Sequence, residues 1–227
     1  MKTLRLTSAD IKIQYKYGFY LLYSFFTLFY VFILNIMPAS WQKTTAVIMI
    51  YSDPAAMGLF FMGAIVLLEK SQMILNSLAV SPIKISQYIN AKVLSLGLIG
   101  TIVGVIIALS AQSNNIITVI IAVFLSSVVF SLIGLIVAFK ASSLNQFVIA
   151  TVPFELILTA PPVITLFGYD NPWLILLPGV AAIKLLSGSY TNPFLLILIQ
   201  LFWITVSYFI CIKVVKKTFR QLGGCKV

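Results

Sequence analysis

Long apolar runs separated by short polar intervals dominate this chain. Six of them approach or exceed the roughly 18–20 residues that a helix needs to cross the ~30 Å hydrocarbon core of a bilayer. They lie at about residues 18–37, 46–68, 89–110, 116–138, 147–168 and 193–213. The runs are continuous, whereas the strands of a transmembrane barrel alternate apolar and polar residues. The pattern predicts an all-α membrane protein whose six transmembrane helices form a single domain, residues 1–227.

Composition and the placement of positive charge indicate the environment and the orientation. Hydrophobic residues make up 61% of the chain and charged residues 9%, with a mean hydropathy of +1.09, which excludes a soluble globular protein. Of the 15 Lys and Arg residues, only Lys43 and Lys184 fall on one side of the six spans. The positive-inside rule therefore predicts that both termini and the polar interval 69–92 are cytoplasmic. Because topology explains the net charge of +10, the expected partner is the lipid bilayer and not nucleic acid.

The residues before the first span predict a helix at the membrane surface. Within residues 3–17, Ile11 and Tyr15 fall on one face at helical spacing, and Lys12 and Lys16 lie beside that face. This arrangement is typical of an amphipathic helix at the cytoplasmic interface. The alternative is a plain extension of the first span.

The longest predicted outer connection, residues 169–192, contains an apolar stretch at 173–186 that is too short to cross. Asn171-Pro172 and Asn192-Pro193 bound this region, and Pro178-Gly179 interrupts it. Such a stretch predicts a re-entrant hydrophobic segment before span six. A loose outer loop is the alternative.

The start of the second span is ambiguous. Asp53-Pro54 is typical of a helix N-cap followed by proline at the first helical position, so the helix would begin at 54. Alternatively the helix starts near Ala46, and Pro54 kinks it.

Catalytic and metal-binding patterns are missing from the sequence. It contains no GxxxxGK[ST], HExxH or GxSxG stretch, no acidic cluster with metal-ligand spacing, and no histidine. We therefore expect a protein that is not an enzyme, has no catalytic or metal-binding residues and binds no cofactor itself.

Polar and aromatic residues inside the spans are candidates for a translocation path. A carboxylate near the bilayer centre costs at least ~2.5–3.5 kcal/mol, so Glu155 in the fifth span is expected to face a cavity or a partner. A neutral carboxylic acid that only fixes helix packing is the alternative. Pro153, Pro161 and Pro162 around it are expected to break the helix. Asp53 of span two, with Phe26 and Tyr30 of the aromatic first span, completes this candidate path.

The polar interval carries a family resemblance. Residues 77–92, SLAVSPIKISQYINAK, run from a leucine-containing segment through a Val-Ser-Pro turn into a Tyr-containing start of span three. With DPAAMGLFFMGAIVLLEK at 53–70, this stretch resembles the permease subunits of type-2 ATP-binding-cassette exporters, in particular the fluoroquinolone exporter branch. The sequence-specific part covers about 40 residues, whereas the topology matches along the whole chain.

The resemblance implies a permease of the bacterial cell membrane without its own ATPase. Two copies would associate, and each would contact a cytoplasmic ATPase subunit that binds ATP and Mg. The coupling loop, residues 69–88, would enter a cleft of that subunit. Its contact residues would be Ser77, Leu78, Val80, Ser81, Pro82, Ile83 and Lys84, with added charged contacts from Glu69 and Lys70. The substrate would be an amphipathic or hydrophobic drug, peptide or lipid.

Other functions remain open at this point. An ion-coupled secondary transporter would work without an ATPase, and an intramembrane enzyme acting on lipid would need a clustered polar site that the sequence does not display. A scaffold or immunity protein without transport is a further alternative.

Overall fold

The computed structural model describes residues 2–113, 115–169, 171–190 and 192–223, and the described part is helical throughout, without a β-strand. Its helices are α1 (Lys2–Lys16), α2 (Phe19–Ile36), α3 (Ala39–Ile50), α4 (Met57–Ser71), α5 (Ile74–Val80), α6 (Ile85–Ser110), α7 (Ile116–Lys140), α8 (Leu144–Leu166), α9 (Pro178–Ser187) and α10 (Pro193–Gly223). A π-helical turn, Tyr51–Ala55, joins α3 to α4, and a 3-10 turn, Pro172–Leu176, precedes α9.

Six of these helical segments are long and apolar enough to cross a membrane, as predicted. They are α2, the continuous segment Ala39–Ser71, α6, α7, α8 and α10. Several extend beyond the predicted spans, since α6 begins at Ile85 and α10 continues past Lys213. An all-α membrane protein with six spanning helices is thus confirmed for the described residues.

The second span is one long helix with a widened turn in its middle. It begins at Ala39, earlier than either expected start, and continues through Pro54. The prediction that Asp53 caps a helix starting at 54 is wrong, because Asp53 lies inside the π-helical turn and no side chain caps α4. Proline cannot bond to the carbonyl four residues earlier and its ring clashes with it, and here the helix widens into a π-helical turn at this position.

The helix α8 also continues through its prolines, so the expected break in the fifth span does not occur. Pro162 lacks the N–H that would pair with the carbonyl of Leu158. The hydroxyl of Tyr51 donates to that carbonyl instead, at 2.7 Å. A side chain from another helix thereby satisfies the acceptor that proline leaves free.

The predicted amphipathic N-terminal helix is present as α1. Gly18, with φ of 77°, separates it from α2. Its polar residues Thr7, Asp10 and Gln14 are buried, whereas Leu4 and Tyr15 are exposed. The helix therefore turns a polar face toward the bundle and leaves apolar side chains on the outside, which suits the membrane interface.

The predicted re-entrant segment is the pair formed by the 3-10 turn and α9. Ten residues span about 15 Å, half of what a crossing helix needs. Gly179 at the start of α9 packs against Tyr51, Leu158 and Pro162, so closely that a β-carbon would overlap them. The segment therefore enters the bundle to the depth of the middle of α8.

The helix ends fall on two sides. On one, which we call the α1 side, the ends of α4, α7 and α10 meet the start of α6 and the helix α1. On the opposite side, the start of α3, the α6–α7 connection and the ends of α8 and α9 enclose an open cavity of about 400 Å³. The helix α7 lies between these elements and packs against α4, α6, α8, α9 and α10.

Candidate functional site

A buried charged cluster lies on the α1 side. The ammonium of Lys92 on α6 contacts the Asp10 carboxylate of α1 at 2.8 Å and the Glu69 carboxylate of α4 at 2.6 Å. The hydroxyl of Tyr88, one turn before Lys92, donates to the other Glu69 oxygen at 2.8 Å. Lys92 is only 2% exposed. One cation thus joins three helices that are far apart in the sequence.

Neutral hydrogen bonds extend this cluster along α1 and α6. The Gln14 amide donates to the hydroxyl of Ser95 at 2.8 Å, and Ser95 donates to the Lys92 carbonyl at 2.9 Å. Buried charges are tolerable only when they are paired and hydrogen-bonded, which is the case here. The arrangement fixes α1 against α6 and sets the position of the end of α4.

A second lysine holds the end of α7. The ammonium of Lys70 donates to the carbonyls of Ala138, Phe139 and Ala141 at 2.8, 3.0 and 2.8 Å. The last carbonyls of a helix have no partner within it and carry the negative end of its dipole, so a cation is favourable there. The contact ties α4 to the α7–α8 connection.

These contacts alter the expected role of Glu69 and Lys70. The expectation was that both add charged contacts for a partner protein. Glu69 is buried at 3% exposure, and the Lys70 ammonium is occupied by three carbonyls. Both residues therefore stabilise the bundle beneath the predicted coupling segment.

The coupling segment itself forms a short helix and a turn. Leu75 of α5 is buried and anchors the helix, which packs against α10 and α4. The Gln72 amide donates to the Tyr17 hydroxyl at 2.6 Å, and the Ser81 hydroxyl closes the end of α5 on the Leu78 carbonyl at 2.7 Å. The Gln72 bond links the start of the segment to Tyr17, just after α1, whereas the Ser81 bond is internal to the segment.

The predicted contact residues divide by exposure. Ser77, Val80, Pro82 and Lys84 are exposed, and Val80 reaches 73%. Leu78, Ser81 and Ile83 are partly buried and support them. The structure places all seven in one continuous surface segment on the α1 side, close to the charged cluster.

The candidate path residues do not all meet. The Tyr30 hydroxyl lies beside the Asp53 carboxylate and interacts with it, and the ring of Phe26 stacks on that of Tyr30 at 6.1 Å. Glu155 lies apart from them, half-buried on α8 between the exposed Leu156 and the exposed Phe154. One carboxylate thus lies beside an aromatic group of α2, and the other lies on an outward-facing part of α8.

Sequence reasoning missed Lys92, Tyr88, Asp10 and Gln14. Lys92 was counted as a loop charge for orientation, although Tyr88, Lys92 and Ser95 recur at helical spacing, as do Asp10 and Gln14. Two polar stripes on neighbouring amphipathic helices are a signal for such a cluster. Across the described ranges, no group of three or more His, Cys, Asp or Glu residues has the geometry to hold a metal ion.

Comparison with known proteins agrees with the architecture. The fluoroquinolones export permease protein family matches residues 1–222. The chain belongs to this family. It is similar to two proteins named fluoroquinolones export permease protein, from Mycobacterium tuberculosis strains CDC 1551 / Oshkosh and ATCC 25618 / H37Rv. Identity to each is 26% over 157 residues, which is 68% of this chain and 66% of the relative, so the matched part spans just under two thirds of their length.

The six helices that can span a membrane agree with membership of the fluoroquinolones export permease family. The protein is a multi-pass membrane protein of this permease family.

Proposed function

We propose that this permease is the membrane subunit of an ATP-binding-cassette exporter in a bacterial cell membrane. A separate cytoplasmic ATPase would bind ATP and Mg, hydrolyse the ATP and drive an amphipathic or hydrophobic substrate outward. The observation that carries the proposal is the exposed segment from Ser77 to Lys84, which lies between α4 and α6, the two helices that the Glu69–Lys92 ion pair joins.

The support for coupling at this segment is mechanical. The helix α5 follows α4, which ends in the ion pair of Glu69, and precedes α6, which contains Lys92 and Tyr88. A displacement of α5 by a docked protein therefore acts on two spanning helices that share one ion pair. A flexible loop would absorb such a displacement, whereas a packed helix transmits it.

The exposed chemistry of the segment suits a protein cleft. Val80 and Pro82 offer apolar surface, while Ser77 and Lys84 offer polar contacts around it. The positive charge of Lys84 also fits the predicted cytoplasmic side. On this proposal the chain binds no nucleotide or other cofactor itself.

A second copy of the chain is the proposed partner within the membrane. The helices α2 and α8 expose large apolar side chains, among them Phe25 and Phe29 on α2 and Leu156 and Ile157 on α8. Lipid covers such faces, and a second copy would cover part of them. The substrate route would then lie between the two copies.

Co-purification from the native host tests the proposal. The tagged full-length permease is expected to retain an ATP-binding-cassette ATPase, and the reconstituted complex is expected to hydrolyse ATP and to export a lipophilic dye. The double variant Pro82→Ala with Lys84→Ala should lower both rates about tenfold, a loss of roughly 1.4 kcal/mol of coupling. Lys43→Ala is the matched control, because it removes a lysine from the opposite side of the bundle.

Two results would contradict the proposal. Unchanged hydrolysis and export in the double variant would remove the coupling role of residues 77–84. Export by the permease alone in proteoliposomes under an ion gradient would favour the ion-coupled alternative.

A further inference from the structure

The π-helical turn of the second span places a carboxylate within the bundle. Asp53 lies in that turn, between α3 and α4, and is partly buried. Short π-helical turns inside longer helices occur frequently at functional sites. The polar side chain that interacts with this carboxylate is that of Tyr30, a neutral hydroxyl on α2.

Hydroxyl contacts alone leave this carboxylate without a compensating charge. Both ion pairs seen among the described residues use Lys92, which pairs with Asp10 and Glu69 on the α1 side. Tyr23 lies two turns before Tyr30 and on the same face of α2. Its hydroxyl is buried and has no hydrogen-bond partner among the described residues. Polar groups placed in a membrane at such cost usually face a substrate or ion pathway.

Aromatic rings lead from this carboxylate to the outer surface of α2. The ring of Tyr30 contacts those of Phe26 and Phe29 at 6.1 and 6.0 Å between centroids. Phe25 continues the group, with centroid distances of 5.6 Å to Phe26 and 6.4 Å to Phe29. Phe25 and Phe29 are exposed, so the group is open on one side and reaches Asp53 on the other.

A carboxylate beside several aromatic faces is chemistry that selects for cations. Ring faces attract a cation within about 6 Å of the centroid, and the attraction grows when the site is desolvated. A nearby negative charge adds to it and repels an anion of the same shape. Aliphatic walls would bind the apolar body of a ligand without regard to its charge.

We propose that Asp53 and the aromatic group of α2, formed by Phe25, Phe26, Phe29 and Tyr30, are a recognition site for lipophilic organic cations. The positive charge of the ligand binds at Asp53, where it replaces or joins the Tyr30 hydroxyl, and its apolar body lies on the rings. This inference names a substrate class and rests on the proposed export function. Glu155, whose helix takes part in none of the ring contacts of the described residues, lacks this arrangement.

Ligand binding to the full chain in nanodiscs tests the site without an ATPase. The probes are tetraphenylphosphonium and tetraphenylborate, which have the same shape and opposite charge. We expect saturable binding of the cation that exceeds that of the anion. Asp53→Asn should weaken cation binding about tenfold, as the loss of one partly desolvated charge contact predicts, and should not weaken anion binding. Asp53→Glu should retain most of the preference.

Two further variants serve as comparisons for Asp53→Asn. Glu155→Gln removes the other carboxylate within the spans and is expected to leave the preference unchanged. Phe29 is exposed, so Phe29→Leu is expected to fold normally. It should weaken cation binding about threefold through the lost cation–π contact. If Asp53→Asn fails to fold, the cation binding of Phe29→Leu and of Asp53→Glu still tests the site.

The proposal is overturned if the wild-type chain does not bind the cation, or if the preference survives both Asp53→Asn and Phe29→Leu. A chain that binds the cation selectively but fails to co-purify with an ATPase would keep this site and remove the proposed function. A permease that activates a co-purified ATPase but shows no charge preference would keep the proposed function and remove this site.

Discussion

The charged cluster on the α1 side and the polar groups around the tip of α9 are both buried, but they differ in how completely they are paired. Lys92, Glu69 and Asp10 share two ion pairs, and Tyr88 completes the bonding of Glu69. At the tip of α9, the side-chain amide of Gln200 on α10 is fully buried, and neither its nitrogen nor its oxygen has a partner among the described residues. The two regions therefore hold their helices with different strength.

The same contrast appears in the contacts between helices. On the α1 side, a single ammonium joins α1, α4 and α6. At the α9 tip, Tyr51 donates one hydrogen bond to α8, and Gly179 allows close approach without adding a polar contact. We conclude that ion pairs hold the helices together on the α1 side, whereas close apolar packing holds most of the re-entrant segment.

The largest expected effect comes from breaking the cluster at its cation. Lys92→Met leaves Asp10 and Glu69 buried without a counter-charge, and we expect a loss of about 3–5 kcal/mol in the free energy of unfolding. Thermal and denaturant unfolding of the detergent-solubilised protein measure it. The exposed Lys84→Met is the control and should change stability by less than about 0.5 kcal/mol. Equal losses in the two variants would contradict the stabilising role of the buried ion pairs.

An intermediate effect is expected at the hydroxyl that supports α8. Tyr51→Phe leaves the Leu158 carbonyl unpaired, because Pro162 offers no N–H, and should cost about 1–3 kcal/mol. The change should speed amide hydrogen exchange in α9 and leave α1 unaffected. Tyr15→Phe, at an exposed position, is the matched control. Faster exchange in α1 would show that the two regions are not separate.

The smallest effect is expected where pairing is already absent. Gln200→Leu replaces an unpaired buried amide with an apolar group of similar size, so stability should stay the same or rise by up to about 1 kcal/mol. Gln14→Leu is the matched control, since this buried amide donates to Ser95 and its loss should cost about 1–3 kcal/mol. If both substitutions destabilise the protein equally, the Gln200 amide is hydrogen-bonded, and the polar groups at the tip of α9 are as fully paired as those of the charged cluster.

Much of the architecture was predictable because it follows from local hydrophobicity. The six spanning helices, α1 and the re-entrant α9 each correspond to a continuous or periodic apolar stretch. The errors concern proline. At Asp53-Pro54 and in the fifth span, local rules predicted a helix start and a break, whereas a π-helical turn and the Tyr51 hydroxyl allow both helices to continue.

The candidate sites were less accessible to sequence reasoning. Residues 77–84 stood out as a polar interruption, and their role in coupling stays a prediction. Glu69 and Lys70 belonged to the same interruption, yet their partners lie on α6 and α7. Proximity in sequence suggested a shared surface, and only packing showed that Glu69 is buried and that the partly buried Lys70 binds the end of α7.

The sequence by itself determined which segments can enter a membrane, because transfer of a helix into hydrocarbon depends on the residues of that helix alone. Tertiary structure decided which polar groups of these segments find a hydrogen-bond or ion-pair partner on another helix. Lys92 meets Asp10 across 82 residues of sequence, and Tyr51 meets Leu158 across 107. Such pairs depend on how helices pack. The same packing brings Tyr30 to Asp53 and creates the proposed cation site.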